Sequence, residues 1–433
     1  MKPFVSILSC CLTASVGLAQ TPVADSLTLE KVIHLVVERN PSVSRTAKSI
    51  EAAQAAVEVS RSSYYPDASV EMSYERIAPV AEIDFPGLGT FLLFPANNYD
   101  GHVGIKQKIY DFNKTAESVN LTTSRVQLAR DRMEETKRNL AYAAAQSFYT
   151  ALFLDQSIRV QDEQITRLNE YLGVTRNKLA TGSATDFDVL TTRVRIAAAQ
   201  DRKIDLQNRL QHEEIALRRL ADLPPLYPLY LSGGFQVEQR GTNPDSLFDL
   251  AQRQRADYRT VVDGVRSAEV QVSLAGTNAN PSLNFNAAYG VKNGYIPNLD
   301  VLRGNYVAGV SLEVPIFDGY KTSSMSEEAQ ANLLAAQEQK REAENQMHAE
   351  IQQAIVDLDA SAEKLQNSRL SVEQAESAAE MARVKYDSGV ITNLDLLDAG
   401  TALEEARLNH LRAQYSWVLS QYELRKSIGE QIW

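Results

Sequence analysis

Cysteine, proline and glycine are scarce in this chain of 433 residues, which contains 2 Cys, 14 Pro and 20 Gly. Both cysteines, Cys10 and Cys11, lie near the N-terminus. The remainder of the chain therefore has no disulfide, no thiolate metal site and no cysteine-based catalysis. Long stretches are rich in Ala, Gln, Glu, Leu and Arg, and this composition indicates extended helices rather than compact α/β layers.

Signatures of nucleic-acid binding and of catalysis are missing as well. The net charge is −11 and the pI is about 5.2, so no basic surface for nucleic acid is expected. The 5 histidines are scattered, and none has a metal-ligand spacing such as H-E-x-x-H. No glycine-rich phosphate loop and no G-x-S-x-G motif is present. We therefore predict no enzymatic activity, no cofactor and no metal site.

The N-terminal segment has the layout of a secretory signal. Lys2 is followed by a mainly apolar run over 4–12 and then by the small residues Gly17 and Ala19. This predicts a signal peptide over residues 1–19; a lipid anchor on Cys10 is the alternative, although little apolar sequence precedes it. No later stretch of 18 apolar residues exists. We therefore expect any membrane crossing to be made by β-strands.

Three matched pairs of segments indicate that the chain is a tandem repeat. Two of the pairs, 178–190 with 385–397 and 110–115 with 317–322, share an offset of 207 residues. In the third pair, Tyr65-Pro66 and Asn280-Pro281 each precede an alternating segment, at an offset of 215 residues. A longer loop in the first copy explains the difference. The predicted repeats cover residues 20–224 and 225–433.

Four segments alternate between apolar and polar residues and are predicted to be strands. They cover residues 68–76, 99–110, 282–291 and 305–314. Each is about ten residues long, which suits a tilted strand that crosses an outer membrane. A half-buried soluble sheet is the alternative, but the neighbouring sequence offers no second layer to cover the apolar side. The loop within the first copy contains Phe91 and Phe94, and we expect it to fold inward or to touch a neighbour.

Two very long helices are predicted over residues 112–181 and 320–388. The first is interrupted only by Gly173, and the second contains neither Pro nor Gly over its 69 residues. Each span reaches roughly 100 Å at the rise of an α-helix, so it must pack side by side with other helices. Asp111 and Asp318 precede the two helices and are predicted to cap them.

Each long helix is predicted to end in a tight hairpin tip, at 182–188 and at 389–395. A glycine suits the left-handed position that ends a helix, and Thr-x-x-Asp is close to the capping box that starts the next. Turn formation is one interpretation of these residues, which are Gly182, Thr185, Asp188, Gly389, Thr392 and Asp395. It does not explain the apolar residues beside them, for which we predict contact with a partner protein: Phe187, Val390, Ile391 and Leu394.

The element order and the two tip sequences resemble those of the TolC-like outer-membrane factor family, the outer membrane efflux proteins. The Pro315-Ile-Phe-Asp-Gly319 junction is also similar, although Tyr320 stands where a second glycine is common. The resemblance implies a homotrimer whose twelve-stranded barrel, four strands from each protomer, contacts outer-membrane lipid. It also implies a helical periplasmic barrel of coiled-coil hairpins, whose tips meet a periplasmic adaptor of an efflux pump or a type I secretion system. The inner-membrane transporter would then be an indirect partner, and the protein would not bind nucleic acid.

The second copy has acidic residues where the first copy has none. Glu373, Glu376, Glu380 and Asp387 correspond, at the offset of 207, to residues without charge. If this helix faces the lumen, three copies create rings of carboxylates that attract cations, and the resemblance supports an acidic constriction here. A solvated helix face is the alternative. The candidate gate residues are Glu376, Glu380, Arg383, Lys385 and Asp387, with the two basic residues pairing across protomers.

Two other classes of protein share some of these features. An exported coiled-coil structural protein would explain the helices but not the paired strands in both copies. A periplasmic adaptor would have one helical hairpin inserted in compact β-domains, whereas this chain has two hairpins. The sequence does not identify the cargo, and drugs, metal ions and polypeptides all stay open.

Overall fold

The computed structural model describes residues 26–87, 89–236 and 243–433. Eight α-helices and six strands lie in these ranges. The bounds of the four predicted strands and the two predicted long helices differ from the observed bounds by no more than two residues. The helices are α1 Leu29–Arg39, α2 Pro41–Arg61, α3 Lys114–Ala180, α4 Asp186–Leu220, α5 Pro244–Gln254, α6 Ala256–Gly276, α7 Lys321–Asp387 and α8 Asn393–Ser427. The strands are β1 Asp67–Arg76, β2 Glu82–Phe85, β3 Gly89–Leu92, β4 Asn97–Tyr110, β5 Ser282–Lys292 and β6 Arg303–Glu313.

The four longest strands form one antiparallel sheet in the order β1-β4-β5-β6. The register places Val70 opposite Val103 and Tyr289 opposite Tyr306, so apolar residues share one face. Met72 and Tyr306 on this face are each 82% exposed in a single copy. No described element covers either face of the sheet, which argues against a half-buried soluble sheet. The predicted fold class, mostly helical with four long strands in each chain, is confirmed.

The loop between β1 and β4, called the first outer loop below, contains a feature that the sequence did not predict. Strands β2 and β3 pair as a two-stranded hairpin, with Ile83 opposite Phe91 and Phe85 opposite Gly89. Alternation on both sides of Pro86-Gly87 is the sequence signal that could have revealed it, because Pro-Gly favours a turn.

The starts of the two long helices differ in detail from the prediction. The residues at the cap position are Asn113 and Tyr320, both with a left-handed backbone at φ 72° and φ 66°. Asp111 and Asp318 act from further upstream. Their carboxylates accept the backbone N–H of Thr115 at 2.9 Å and of Thr322 at 2.8 Å, so they satisfy donors of the first helical turn.

The long helices pack side by side. Helix α3 packs against α4 and α8, and α8 packs against α7, so the order across the protomer is α4, α3, α8, α7. One apolar cluster lies around Phe148 in the middle of α3, and another lies around Leu168 and Leu397 near the tips. A third surrounds Leu358 of α7. None of the described helices is long and apolar enough to cross a membrane.

Candidate functional site

Both long helices end in the same backbone arrangement. Gly182 and Gly389 each have φ +77°, a left-handed conformation that glycine adopts without strain. The N–H of Ser183 donates to the carbonyl of Lys178 at 2.8 Å, and the N–H of Val390 donates to that of Lys385 at 2.8 Å. These hydrogen bonds satisfy the last carbonyls of α3 and α7 and define a Schellman motif at each tip.

The returning helices start with complete capping boxes. In the first tip, the N–H of Asp188 donates to Thr185 Oγ1 at 3.2 Å, while the N–H of Thr185 donates to the Asp188 carboxylate at 2.8 Å. Thr392 and Asp395 repeat this exchange in the second tip. The hydroxyl and the N–H of Thr392 hold the pKa of the Asp395 carboxyl below its usual value. The six predicted Gly, Thr and Asp residues thus all take part in forming the turns.

The apolar residues of the tips separate into two groups. Phe187, Val390 and Leu394 are 74%, 70% and 53% exposed, so their side chains have little cover in one copy of the chain. Ile391 is only partly exposed and packs against the cluster around Leu397. The structure therefore offers three exposed apolar side chains for a partner, and it uses Ile391 mainly to hold the second tip on its own core.

A buried polar network joins the two tips, and the sequence analysis missed it. The Tyr386 hydroxyl lies 3.1 Å from Thr175 Oγ1, which donates to Asn393 Oδ1 at 3.2 Å. Asn393 in turn donates to the carbonyl of Asp188 at 3.2 Å and to Thr192 Oγ1 at 3.3 Å. These contacts connect α3, α4, α7 and α8, so the four helix ends are held together within one chain.

Lys178 adds a further connection between the tips. Its ammonium group lies 4.2 Å from the centre of the Tyr386 ring and donates to the backbone carbonyl of Tyr386. Lys385, its counterpart at the offset of 207, is exposed and has no ion pair among the described residues. The only sequence signal for the network was a difference between copies, since Tyr386 replaces Leu179 and Asn393 replaces Asp186.

The acidic residues of α7 have unequal surroundings. Glu376 accepts two hydrogen bonds from Arg407 of α8, at 2.7 and 3.2 Å, and its charge is thereby compensated within the chain. Arg407 also pairs with Glu163 of α3 at 2.5 Å. In contrast, Glu380 and Asp387 are exposed and form no ion pair with any residue in the described ranges. The charges of Glu380 and Asp387 are therefore uncompensated within the described chain, whereas Glu376 is held by Arg407.

Arg383 is exposed as well and has no ion pair among the residues that the structure describes. Arg383 lies three residues after Glu380, and Lys385 lies two residues before Asp387, so two unpaired positive charges accompany the two carboxylates. Such a set of unpaired charges of both signs is available for contacts outside the chain. The described residues contain no group of three or more His, Cys, Asp or Glu side chains that could hold a metal ion.

Comparison with known proteins identifies the family. The family model described as outer membrane efflux protein matches residues 32–221 and 247–430. The chain is 22% identical over 406 residues to the outer membrane protein TolC of Vibrio cholerae serotype O1, covering 93% of this chain and 90% of that protein. It is 23% identical over 353 residues to the alkaline protease secretion protein AprF of Pseudomonas aeruginosa, covering 77% and 70%.

The fold has close counterparts among solved structures. The Campylobacter jejuni CmeC outer membrane channel is similar with a TM-score of 0.80 at 17% identity, covering 99% of this chain and 94% of that chain. The outer membrane protein VceC of Vibrio cholerae has a TM-score of 0.79 at 18% identity, covering 94% and 97%. The match spans both repeats, so it includes the sheet, the long helices and the tips.

Proposed function

Because the chain belongs to the outer membrane efflux protein family and is an outer-membrane exit channel, we propose that three copies assemble into one duct. Each copy contributes four strands to a twelve-stranded barrel and its long helices to a tunnel through the periplasm. An inner-membrane transporter passes solutes to a periplasmic adaptor protein. From the adaptor the solutes pass through the duct to the outside without further input of energy.

The unpaired edges of the sheet carry this proposal. Strands β1 and β6 lie at the two ends of the strand order, so each has a row of backbone groups without a partner strand among the described residues. In a membrane such groups cost several kcal/mol each unless they are hydrogen-bonded. Pairing β6 of one copy with β1 of the next satisfies both edges and closes the sheet into a ring.

The outer flanks of the helical layer support the same assembly. On α4, Leu190 and Val194 are 57% and 67% exposed, lie close to the tip and are four residues apart, a spacing typical of coiled coils. On α7, Met381 and Val384 are 57% and 59% exposed and also lie close to the tip. Because α4 and α7 occupy opposite flanks of the protomer, packing α7 of one copy on α4 of the next covers both stripes.

The tips support contact with an adaptor. Phe187, Val390 and Leu394 form an exposed apolar set at the end of the duct that lies furthest from the sheet. The buried network around Asn393 fixes the two tips of one chain relative to each other. A partner therefore meets a preorganised surface, which lowers the entropy cost of binding. Nearby, Glu380 and Asp387 supply the carboxylates of a gate, and Arg383 and Lys385 pair with them across protomers.

Gel electrophoresis of the protein isolated from outer-membrane fractions tests the assembly. The unheated sample should migrate as an SDS-resistant trimer, and boiling should convert it to the monomer. Recovery of a monomer from the soluble periplasmic fraction would overturn the proposal, because the edges of the sheet and the two stripes would then have no partner.

A further inference from the structure

The outer hairpin, formed by β2 and β3, has one apolar and one polar face. Ile83 and Phe91 pair directly, and the Phe85 ring meets the Phe91 ring edge-on at 5.8 Å. The acidic side chains of Glu82 and Asp84 alternate with them and lie on the other face. A two-stranded hairpin is marginally stable by itself, so an apolar face of this kind needs a partner surface.

Nothing in one copy of the described chain covers this apolar face. Ile83, Phe85 and Phe91 are 40%, 47% and 51% exposed. The second outer loop, residues 293–302, contacts the base of the first loop. Asn293 donates to the carbonyl of Asn97 at 2.7 Å and accepts the N–H of Tyr99 at 2.8 Å. These contacts lie beyond the C-terminal end of the hairpin and leave its face open.

The second outer loop also presents an uncovered apolar surface. Ile296, Val301 and Leu302 are 74%, 50% and 55% exposed. The loop joins β5 to β6, and β6 is the edge strand opposite to β1 in the strand order. When the ring closes, the start of β6 in one copy lies at the same outer end as the end of β1 in the next. The second outer loop of one copy therefore comes next to the outer hairpin of its neighbour.

The outer hairpin and the start of β6 carry opposite charges. Residues 77–98 contain two acidic residues and no basic residue. The second outer loop itself contains one acidic residue, Asp300, and is flanked by Lys292, which pairs with Asp100 of its own chain, and by Arg303 at the start of β6. Glu82 and Arg303 have no ion pair among the residues that the structure describes, and both are exposed. The absence of basic side chains makes an anionic lipid surface a poor partner for the hairpin, whereas the exposed Arg303 beside the second outer loop of another copy suits its carboxylates.

We propose that the apolar face of the outer hairpin docks on the second outer loop of the adjacent protomer and so fastens neighbouring copies together at the outer end of the duct. Ile83, Phe85 and Phe91 pack against Ile296, Val301 and Leu302, and Arg303 reaches around the unpaired edge of β2 to Glu82 and Asp84 on the other hairpin face. The proposal rests on the trimer proposed above, since the contact exists only between copies.

Cross-linking between introduced cysteines tests this contact, because residues 12–433 contain no native cysteine. The full chain with Phe91→Cys and Ile296→Cys is purified in detergent, shown to be a trimer by native migration, and treated with a short bismaleimide. We expect covalent dimers and trimers on a denaturing gel. The matched control is Thr90→Cys with Ile296→Cys, because Thr90 pairs with Asp84 on the opposite hairpin face. It should give several-fold less product.

Other occupants of the hairpin face give different products. Dimers from Phe91→Cys alone would show that hairpins meet each other, and modification of both thiols without larger species would show that the hairpin docks on its own chain. An intact trimer with no cross-link would indicate that lipid covers the apolar face of the hairpin. Each of these results overturns the proposal, whereas loss of the trimer before treatment would instead contradict the proposed assembly.

Charge reversal provides a second readout. Arg303→Glu should lower the yield of the cross-linked trimer several-fold, and adding Glu82→Lys and Asp84→Lys to the same chain should restore it. If the yield does not respond to these changes, opposite charges do not hold the hairpin to the neighbouring protomer. That result would overturn the proposal.

Discussion

The two repeats have nearly the same backbone and different surroundings. Helices α3 and α7 each contain 67 residues, α4 and α8 each contain 35 residues, and both tips turn through a glycine at φ +77°. Burial separates them. In a single copy, α3 buries more than twice as many residues as α7, and α8 buries more than twice as many as α4.

This difference shows which side of each hairpin belongs to the protomer. Helices α3 and α8 form its interior, whereas α4 and α7 are flanks that keep exposed apolar stripes. The two copies have thus diverged. The first hairpin exposes its second helix, α4, whereas the second hairpin exposes its first helix, α7. In the proposed trimer, three copies of such a unit would place α7 beside α4 at every junction and so form a continuous helical wall.

Substitutions at equivalent positions of the two repeats test this difference in burial. A substitution in the core of α3 should cause the largest loss of stability. Phe148 is 1% exposed, and its ring packs against Tyr149 at 5.5 Å. Phe148→Ala should cost about 3–5 kcal/mol, because it removes a large buried side chain and leaves a cavity. The equivalent residue in α7 is Ile355, which is only partly buried. Ile355→Ala should cost about 1–2 kcal/mol.

Thermal unfolding of the purified protein compares the two variants at one scan rate, because many large proteins unfold irreversibly and their transition temperature then depends on the scan rate. Phe148→Ala should lower the transition temperature by clearly more than Ile355→Ala does. Equal losses would show that assembly buries α7 as deeply as α3, and the contrast seen in one copy would then vanish in the trimer.

The tip network should give an intermediate effect. Asn393→Ala removes hydrogen bonds to Thr175, Asp188 and Thr192, and the loss should cost about 1–3 kcal/mol because these groups are buried. Asp186, its counterpart in the first tip, is exposed, so Asp186→Ala should cost about 0.3–1 kcal/mol through the helix dipole.

Hydrogen–deuterium exchange measures this prediction locally. Amides in the first turns of α4 and α8 should exchange faster in Asn393→Ala and almost normally in Asp186→Ala. If both variants behave alike, the network does not hold the tips together, and the tips move independently.

Local patterns in the sequence were sufficient to predict the four long strands, the long helices and the turns at the tips. Alternation, the lack of Pro and Gly, and a Gly-x-x-Thr-x-x-Asp order act within a few residues, and the repeat confirmed each pattern by showing it twice. The network around Tyr386 was not predictable in this way. It joins residues more than 200 positions apart, such as Thr175 and Asn393, and depends on how the two hairpins pack.

The same reason explains the unequal carboxylates of α7. Glu376 and Glu380 look equivalent in sequence, since both are absent from the first copy and lie one turn apart. Only the packing of α8 against α7 brings Arg407 to Glu376 and leaves Glu380 without a partner in the described chain. Ile391 is a similar case, because its contact with the core around Leu397 depends on the position of the tip.

The smallest of the predicted effects concerns ion selectivity, and it separates these two carboxylates. Planar-bilayer recordings should show that Glu380→Ala lowers the preference for cations by a factor of about 5, the equivalent of one charge interaction of about 1 kcal/mol in water. Glu376→Gln should change it less, because Arg407 already compensates that charge. If Glu376→Gln has the larger effect, the salt bridge to Arg407 must open in the assembled duct. If Glu380→Ala leaves both conductance and cation preference unchanged, Glu380 does not belong to the gate, and the acidic residues of α7 serve only as a solvated helix face.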